Sequence, residues 1–320
     1  MRCCCVKVLM FGRGVIATIY GWALEQAGHD VEFLVRPGRA AEYGETVELD
    51  LLDARRRPLG DRITRSWSVR FREELASDHD FDLIILSVGH HHLSAAAEFL
   101  APRVGTATVL VFGSVWAEPT QAVAPLPAGQ LAWGFPQAGG GFDGNGVLNG
   151  TLMRKIILGT FETKPTEREK TVRKLFTGAG FKVTEQPEFR GWLWTHFIGD
   201  AGMHSQGVQL GSLSDMIGHA ASFRRALLTS RELLPVLQAR GVDLKRHSGS
   251  VSAFRAPAIL MAPMMSILTA RVPLARTNLA AHSDPSAEEP RRIVRDVLRE
   301  AHRLGVPTPR LDAAGAAIKA

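Results

Sequence analysis

The sequence lacks any uncharged apolar run that approaches the ~18 residues of a membrane span, so a membrane partner is not expected. It also lacks an N-terminal apolar stretch ending in small residues. No signal peptide is read there, and a cytoplasmic location is the expectation. Cysteine is scarce: three in 320 residues, all adjacent as Cys3, Cys4 and Cys5. An odd count packed in one place cannot build a disulfide framework, which fits a reducing compartment. The three read as small residues entering a buried strand rather than as metal ligands. There is no internal repeat or low-complexity tract. The formal charge is +6, but it is not gathered into one basic patch. Nucleic acid is therefore not an expected partner, while small anionic ligands such as phosphates are favoured. The one dense run, Arg55-Arg56-Arg57, reads as a solvated turn.

What is present fits a soluble two-domain protein: 45% hydrophobic and 22% charged residues in a chain long enough for a sizeable core. "CVKVLMF" (5–11) has the look of a buried parallel strand. "GRGVIA" follows at once and opens a helical pattern closed by Gly28, and "DVEFLVR" (30–36) is a second strand. Strand, glycine loop, helix and strand fit one βαβ unit. Gly12 permits the tight turn, Gly14 removes the side chain that would block a pyrophosphate, and Ala17 lets helix pack on strand. The amides of Arg13, Val15, Ile16 and Ala17 then face the phosphates with the helix dipole behind them. Arg36 ends the second strand, where an NAD enzyme carries an acid for the ribose 2′-hydroxyl. An arginine there suits the 2′-phosphate of NADP, with Arg39 in support.

Further strands are read at 47–53, 81–88 and 107–112. Gly89, with His90, His91 and His92 after it, and Gly113, with Ser114 after it, begin the loops that border a cofactor at strand carboxyl ends. The consecutive histidines are expected to diverge. "DGNG" marks a hairpin that adds antiparallel strands to the sheet, and the glycines of 139–150 are assigned to turns. Residues 165–180 form an amphipathic helix with a capping box at Thr166 and Glu169. Strand signals stop near 189. Helical patterns follow at 191–208, 214–240, 252–270 and 286–304, the last with a capping box at Ser286 and Glu289 and a stop at "LGVPTP". The expected fold is an α/β Rossmann-type dinucleotide-binding domain (1–187) followed by an all-α C-terminal domain (188–320), with the active site in the cleft between them.

His196, Asp200 and His204 recur at a spacing that puts all three on one stripe of a helix. Three readings stand. They are a proton-transfer set, a zinc or iron site, or polar groups on a domain-interface helix, satisfied by hydrogen bonds. Eight residues span ~12 Å of helix, too far for one ion unless Gly199 and Gly202 break it. Histidine suits proton transfer near neutral pH, and a neighbouring carboxylate favours the imidazolium.

Several pieces occur in one order: "VLMFGRGVIATIYGWALEQAGHDVEFLVR", "DLIILSV", "DGNGVLNG", "RGWLWTHFIGDAG" and "HRLGVPTP". In this the chain resembles the ketopantoate reductase (2-dehydropantoate 2-reductase) family over nearly its whole length. The resemblance implies reduction of a 2-oxo acid with NADPH and no metal. Gly12, Gly14 and Arg36 match the family's cofactor positions. The family's catalytic lysine and two following asparagines correspond to His196, Asp200 and His204. A further lysine corresponds to Gly89, and another asparagine to Gly113 or Ser114. Ser266 and Glu289 fall at the family's substrate-contacting serine and glutamate. The reading is thus an NADP-dependent oxidoreductase acting on a small carbonyl or imine. His196 and Asp200 are catalytic, and His204, Ser266 and Glu289 bind substrate. The alternatives are a redox-neutral acid/base enzyme or a non-catalytic NADP(H)-binding protein. The resemblance leaves monomer and homodimer both open.

Overall fold

The computed structural model describes residues 5–284 and 287–319. Cys3, Cys4 and Ser286 lie outside the described residues. Cys5 is exposed and precedes the first strand, so it does not enter a buried strand. Contacts divide the chain into two compact units: Met1–Gly113 with Ala117–Pro187, and Ser114–Trp116 with Glu188–Ala320.

The strands of the first unit are β1 (Lys7–Phe11), β2 (Asp30–Leu34), β3 (Thr46–Asp53), β4 (Asp61–Ser68), β5 (Phe71–Arg72) and β6 (Leu83–Leu86). They continue with β7 (Thr108–Phe112), β8 (Leu131–Phe135), β9 (Ala138–Phe142), β10 (Leu148–Leu152), β11 (Lys155–Gly159) and β12 (Lys182–Gln186). Among the described residues, eight of them form one sheet in the order β12-β11-β8-β7-β6-β1-β2-β5. From β8 to β5 every pairing is parallel, and β11 runs antiparallel to β8. The chain leaves β1 toward β2 on one side and returns to β6 on the other. That reversal is the switch point of a Rossmann-type sheet, beside which ligands bind at strand carboxyl ends. β6, β7 and β8 are buried along their whole length, as strands covered on both faces must be.

The "DGNG" hairpin forms, with the Asp143 carboxylate accepting from the amides of Asn145 and Val147 at 2.9 and 3.0 Å. It does not extend the main sheet. β9 and β10 join β3 and β4 in a second sheet, ordered β4-β3-β10-β9. Gly139, Gly140 and Gly141 therefore lie within β9 rather than in turns. A Cβ on Gly140 would sit 2.5 Å from the Asn149 carbonyl oxygen and 3.2 Å from Val15, so glycine permits close backbone approach there. Arg55 departs from the solvated-turn reading. Its side chain is 11% exposed and forks onto Asp53, while its guanidinium lies 5.4 and 5.3 Å from the Trp22 and Phe181 rings. Arg56 and Arg57 remain exposed. The helix Glu167–Gly178 carries its capping box in both directions: Glu169 N donates to Thr166 Oγ1, and Thr166 N donates to the Glu169 carboxylate.

The described residues of the second unit form helices and loops, with no strand among them. Its central helix, Phe189–Leu210, packs against Ala220–Glu232, Glu288–Arg303 and Pro309–Lys319. The pattern at 214–240 is two helices that meet at Leu233, and Pro235 lies in the first turn of the second. Likewise Ser248–Arg255 and Ala258–Arg271 are bent by 99° where Pro257 intervenes. No single helix among the described residues is long and apolar enough to cross a membrane. The stop read at "LGVPTP" is followed by a further helix that begins on Pro309, a residue suited to a first helical position.

Candidate active site

The glycine loop sits between β1 and the helix Val15–Glu25. Gly12 takes φ +87°, a left-handed conformation that favours glycine, and its amide donates to Leu34 O at 2.8 Å. Gly14 is the helix N-cap with extended backbone and no capping side chain, and the first turn holds no acid. The orphan amides and the positive end of the dipole are thus left to an external anion. A Cβ built on Gly12 or Gly14 meets nothing within 4 Å, so neither glycine is needed for packing within the chain. At the third position Ala17 is buried, and Gly21 beyond it lets the helix approach the Phe33 ring on β2. Arg13 turns its guanidinium between the rings of Tyr43 and Phe142, 4.7 and 4.6 Å from their centroids, which leaves its backbone for a ligand.

The ends of the neighbouring strands lie beside this loop. Ser87, just past β6, has a buried hydroxyl oxygen with no hydrogen-bond partner, as expected beside an external ligand. Gly89 follows, and a Cβ on Gly113 would lie 3.7 Å from Val88 O, so the loops after β6 and β7 adjoin. His90, His91 and His92 form a 3₁₀ turn whose neighbouring rings meet, edge-on at 5.3 Å and tilted at 4.1 Å, instead of diverging. Ser114 groups with the second unit. Arg36 is exposed beyond β2 and makes no ion pair among the described residues. Arg39 is less available, since it pairs with Glu42 and donates to the Tyr43 hydroxyl.

In the second unit the helix Phe189–Leu210 runs unbroken through Gly199 and Gly202. A Cβ on Gly202 would lie 2.0 Å from Ser230 Oγ and 2.7 Å from Ala226 O, so this glycine admits a neighbouring helix and does not create a break. The stripe therefore keeps its ~12 Å length, and among the described residues no group of three His, Cys, Asp or Glu side chains is placed to hold a metal. What forms instead is a pair: His196 Nε2 lies 3.4 Å from Asp200 Oδ2. The His196 ring stacks on Trp192 at 5.4 Å and 16°, which fixes its plane. Burial pushes the Asp200 carboxyl above the usual carboxylate range, and His196 and His282 pull it back.

Residues 8–162 match the family model described as Ketopantoate reductase PanE/ApbA. Over this stretch, a little under half of the chain, the sequence is similar to the ketopantoate reductases. It is 23% identical over 199 residues to the uncharacterized oxidoreductase YkpB of Bacillus subtilis, which covers 60% of this chain and 61% of that protein. The match thus spans about three fifths of that relative's length. The fold is shared with a PanE/ApbA family ketopantoate reductase from Ralstonia eutropha JMP134 (20% identity, TM-score 0.67, 98% of this chain and 97% of that one). It is shared equally with D-mandelate dehydrogenase, solved with NADH (13% identity, TM-score 0.70, 98% of each). These likenesses show a shared fold.

The structure adds a neighbour to the histidine stripe of the second unit. His282, after the helix Pro273–Ala280, brings its ring to 6.4 Å from that of His204. Its Nδ1 lies 2.9 Å from Asn278 O, so Nδ1 carries the proton in the neutral ring and Nε2 is left available. No local spacing announces it. Ser266 is buried, continuing the face of Ala258 and Ala262, and its hydroxyl makes no hydrogen bond among the described residues. Glu289 is exposed in the first turn of the helix Glu288–Arg303.

His204 is buried, its Nδ1 without a hydrogen-bond partner, and burial together with the nearby His282 drives its pKa down to about 3. It is therefore a neutral hydrogen-bonding group and not a cationic anchor. The unfolded chain protonates this histidine near ~6.5. Between the two values the unfolded state binds more protons, so the stability tied to neutral His204 is complete above ~6.5 and shrinks as pH falls toward 3. Moving from neutral to about pH 5 is expected to remove about 2 kcal/mol from the wild type that His204→Gln does not lose. Denaturant unfolding of both proteins at the two pH values checks this, and parallel losses would contradict it.

Proposed function

We propose that the chain is an NADPH-dependent oxidoreductase that reduces a small carbonyl of the 2-oxo acid type, or an imine. The observation that carries the reading is a vacant-sided glycine turn at the switch point of the sheet, in a chain that also holds a paired imidazole and carboxylate. Gly12 to Ala17 would hold the pyrophosphate, Arg36 the 2′-phosphate, and Gly89 and Gly113 would border the nicotinamide. When bound, the cofactor supplies a hydride to the substrate's electrophilic carbon. His196 gives a proton to the oxygen or nitrogen that becomes anionic as that carbon is reduced. Asp200, 3.4 Å from the ring, holds it in place. The His196 side chain is 35% exposed, so it regains its proton from water. Neutral His204, with Ser266, positions substrate polar atoms by hydrogen bonding, and Glu289 keeps a substrate contact through the family resemblance.

Incubating the protein with NADPH and a panel of 2-oxo acids and cyclic imines tests this. NADPH loss matched by reduced product supports it. Product formed without NADPH loss belongs to redox-neutral chemistry on the same residues.

A further inference from the structure

The carboxyl end of β2 carries a second charged group besides Arg36. β5 pairs in parallel with β2, Leu34 opposite Arg72, and Val35 N donates to Arg72 O at 2.9 Å. Glu73 therefore emerges beside the residues that lead into Arg36. Its carboxylate accepts from Ala40 N at 2.9 Å and from the amide of Gly38, so it lies over the turn that follows Arg36. It does not pair with Arg36, which makes no ion pair among the described residues. Those two amides hold the carboxyl below the usual carboxylate range, so the group is charged at neutral pH. A carboxylate has about four acceptor positions, and these two bonds leave others free.

We propose that Glu73 determines the choice between NADP(H) and NAD(H), opposing Arg36 at the adenosine ribose. The inference rests on the dinucleotide reading of the glycine loop. An arginine at this strand end attracts a 2′-phosphate, whereas a carboxylate accepts from a free 2′-hydroxyl and repels the phosphate. This chain holds one of each. The outcome is a protein that binds both cofactors, with its preference for the phosphorylated one held down by Glu73. A search about 20 residues past the glycine loop finds only Arg36, because Glu73 arrives from a neighbouring strand.

The test is fluorescence titration of wild type, E73Q, E73A and R36A with NADPH and with NADH. Glutamine keeps an acceptor for the Ala40 amide and removes the charge, and E73A serves if E73Q folds poorly. The expected result is a rise of about fivefold in the NADPH-to-NADH affinity ratio for E73Q, shrinking as salt is added. R36A shifts the ratio the other way. An unchanged ratio in E73Q, or equal weakening of both cofactors, overturns the inference and leaves Glu73 as a turn-capping residue. If wild type binds neither cofactor, the dinucleotide reading falls, and this inference with it.

Discussion

Replacing His196 with glutamine is expected to lower kcat by about 10²- to 10⁴-fold while leaving NADPH affinity unchanged, the range for losing a positioned proton donor. Glutamine retains a polar group of similar reach but has no proton to give near neutral pH. The packing cost is small, because the ring is stacked on Trp192 along one face and partly open to solvent. Asp200→Asn is expected to cost less, since it alters the group that orients the ring rather than the donor itself. His196→Lys carries a sharper signature. It introduces the lysine that the proposed reading places here in ketopantoate reductases, and with a reference pKa of ~10.4 it should move the pH limit of activity upward relative to wild type. Steady-state kinetics over a range of pH measures all three. Full turnover by the glutamine variant would remove His196 from the reaction.

Gly14→Asp is expected to abolish dinucleotide binding, with a loss of more than about a hundredfold in affinity, while the protein becomes slightly more stable. Both signs follow from one position. Gly14 caps the helix Val15–Glu25 without a side-chain bond, has φ of −72°, and would present a new Cβ to open space. Aspartate is a preferred N-cap there, worth a few tenths of a kcal/mol over glycine. The same carboxylate places negative charge on the amides offered to the pyrophosphate. A purely structural turn would gain stability and lose nothing. Thermal melts together with NADPH titration separate the two cases.

The parts legible in the sequence were those fixed by neighbours along the chain. The β1–loop–helix–β2 unit, the Thr166–Glu169 capping box and the Asp143 hairpin each depend on contacts within a few residues. The second sheet was not legible, because β10 pairs in parallel with β3, Leu148 opposite Leu49, and nothing in either segment specifies a partner so distant. Arg55 looked solvated beside Arg56 and Arg57, yet its place between Trp22 and Phe181 is set by chain far from it. Proline misled in both directions. Pro235 and Pro257 split patterns read as continuous, while Pro309 starts a helix where a stop was read. In the site, the His196–Asp200 pair followed from helical spacing. His282 and Glu73 did not, since each reaches its place only through tertiary packing.

The account depends on a pyrophosphate held by the amides after Phe11. Titrating the wild-type protein with NADPH while following cofactor fluorescence addresses this directly. Saturable binding in the micromolar range, lost in Gly14→Asp, is the expected result. A folded wild-type protein that leaves the NADPH signal unchanged would contradict it.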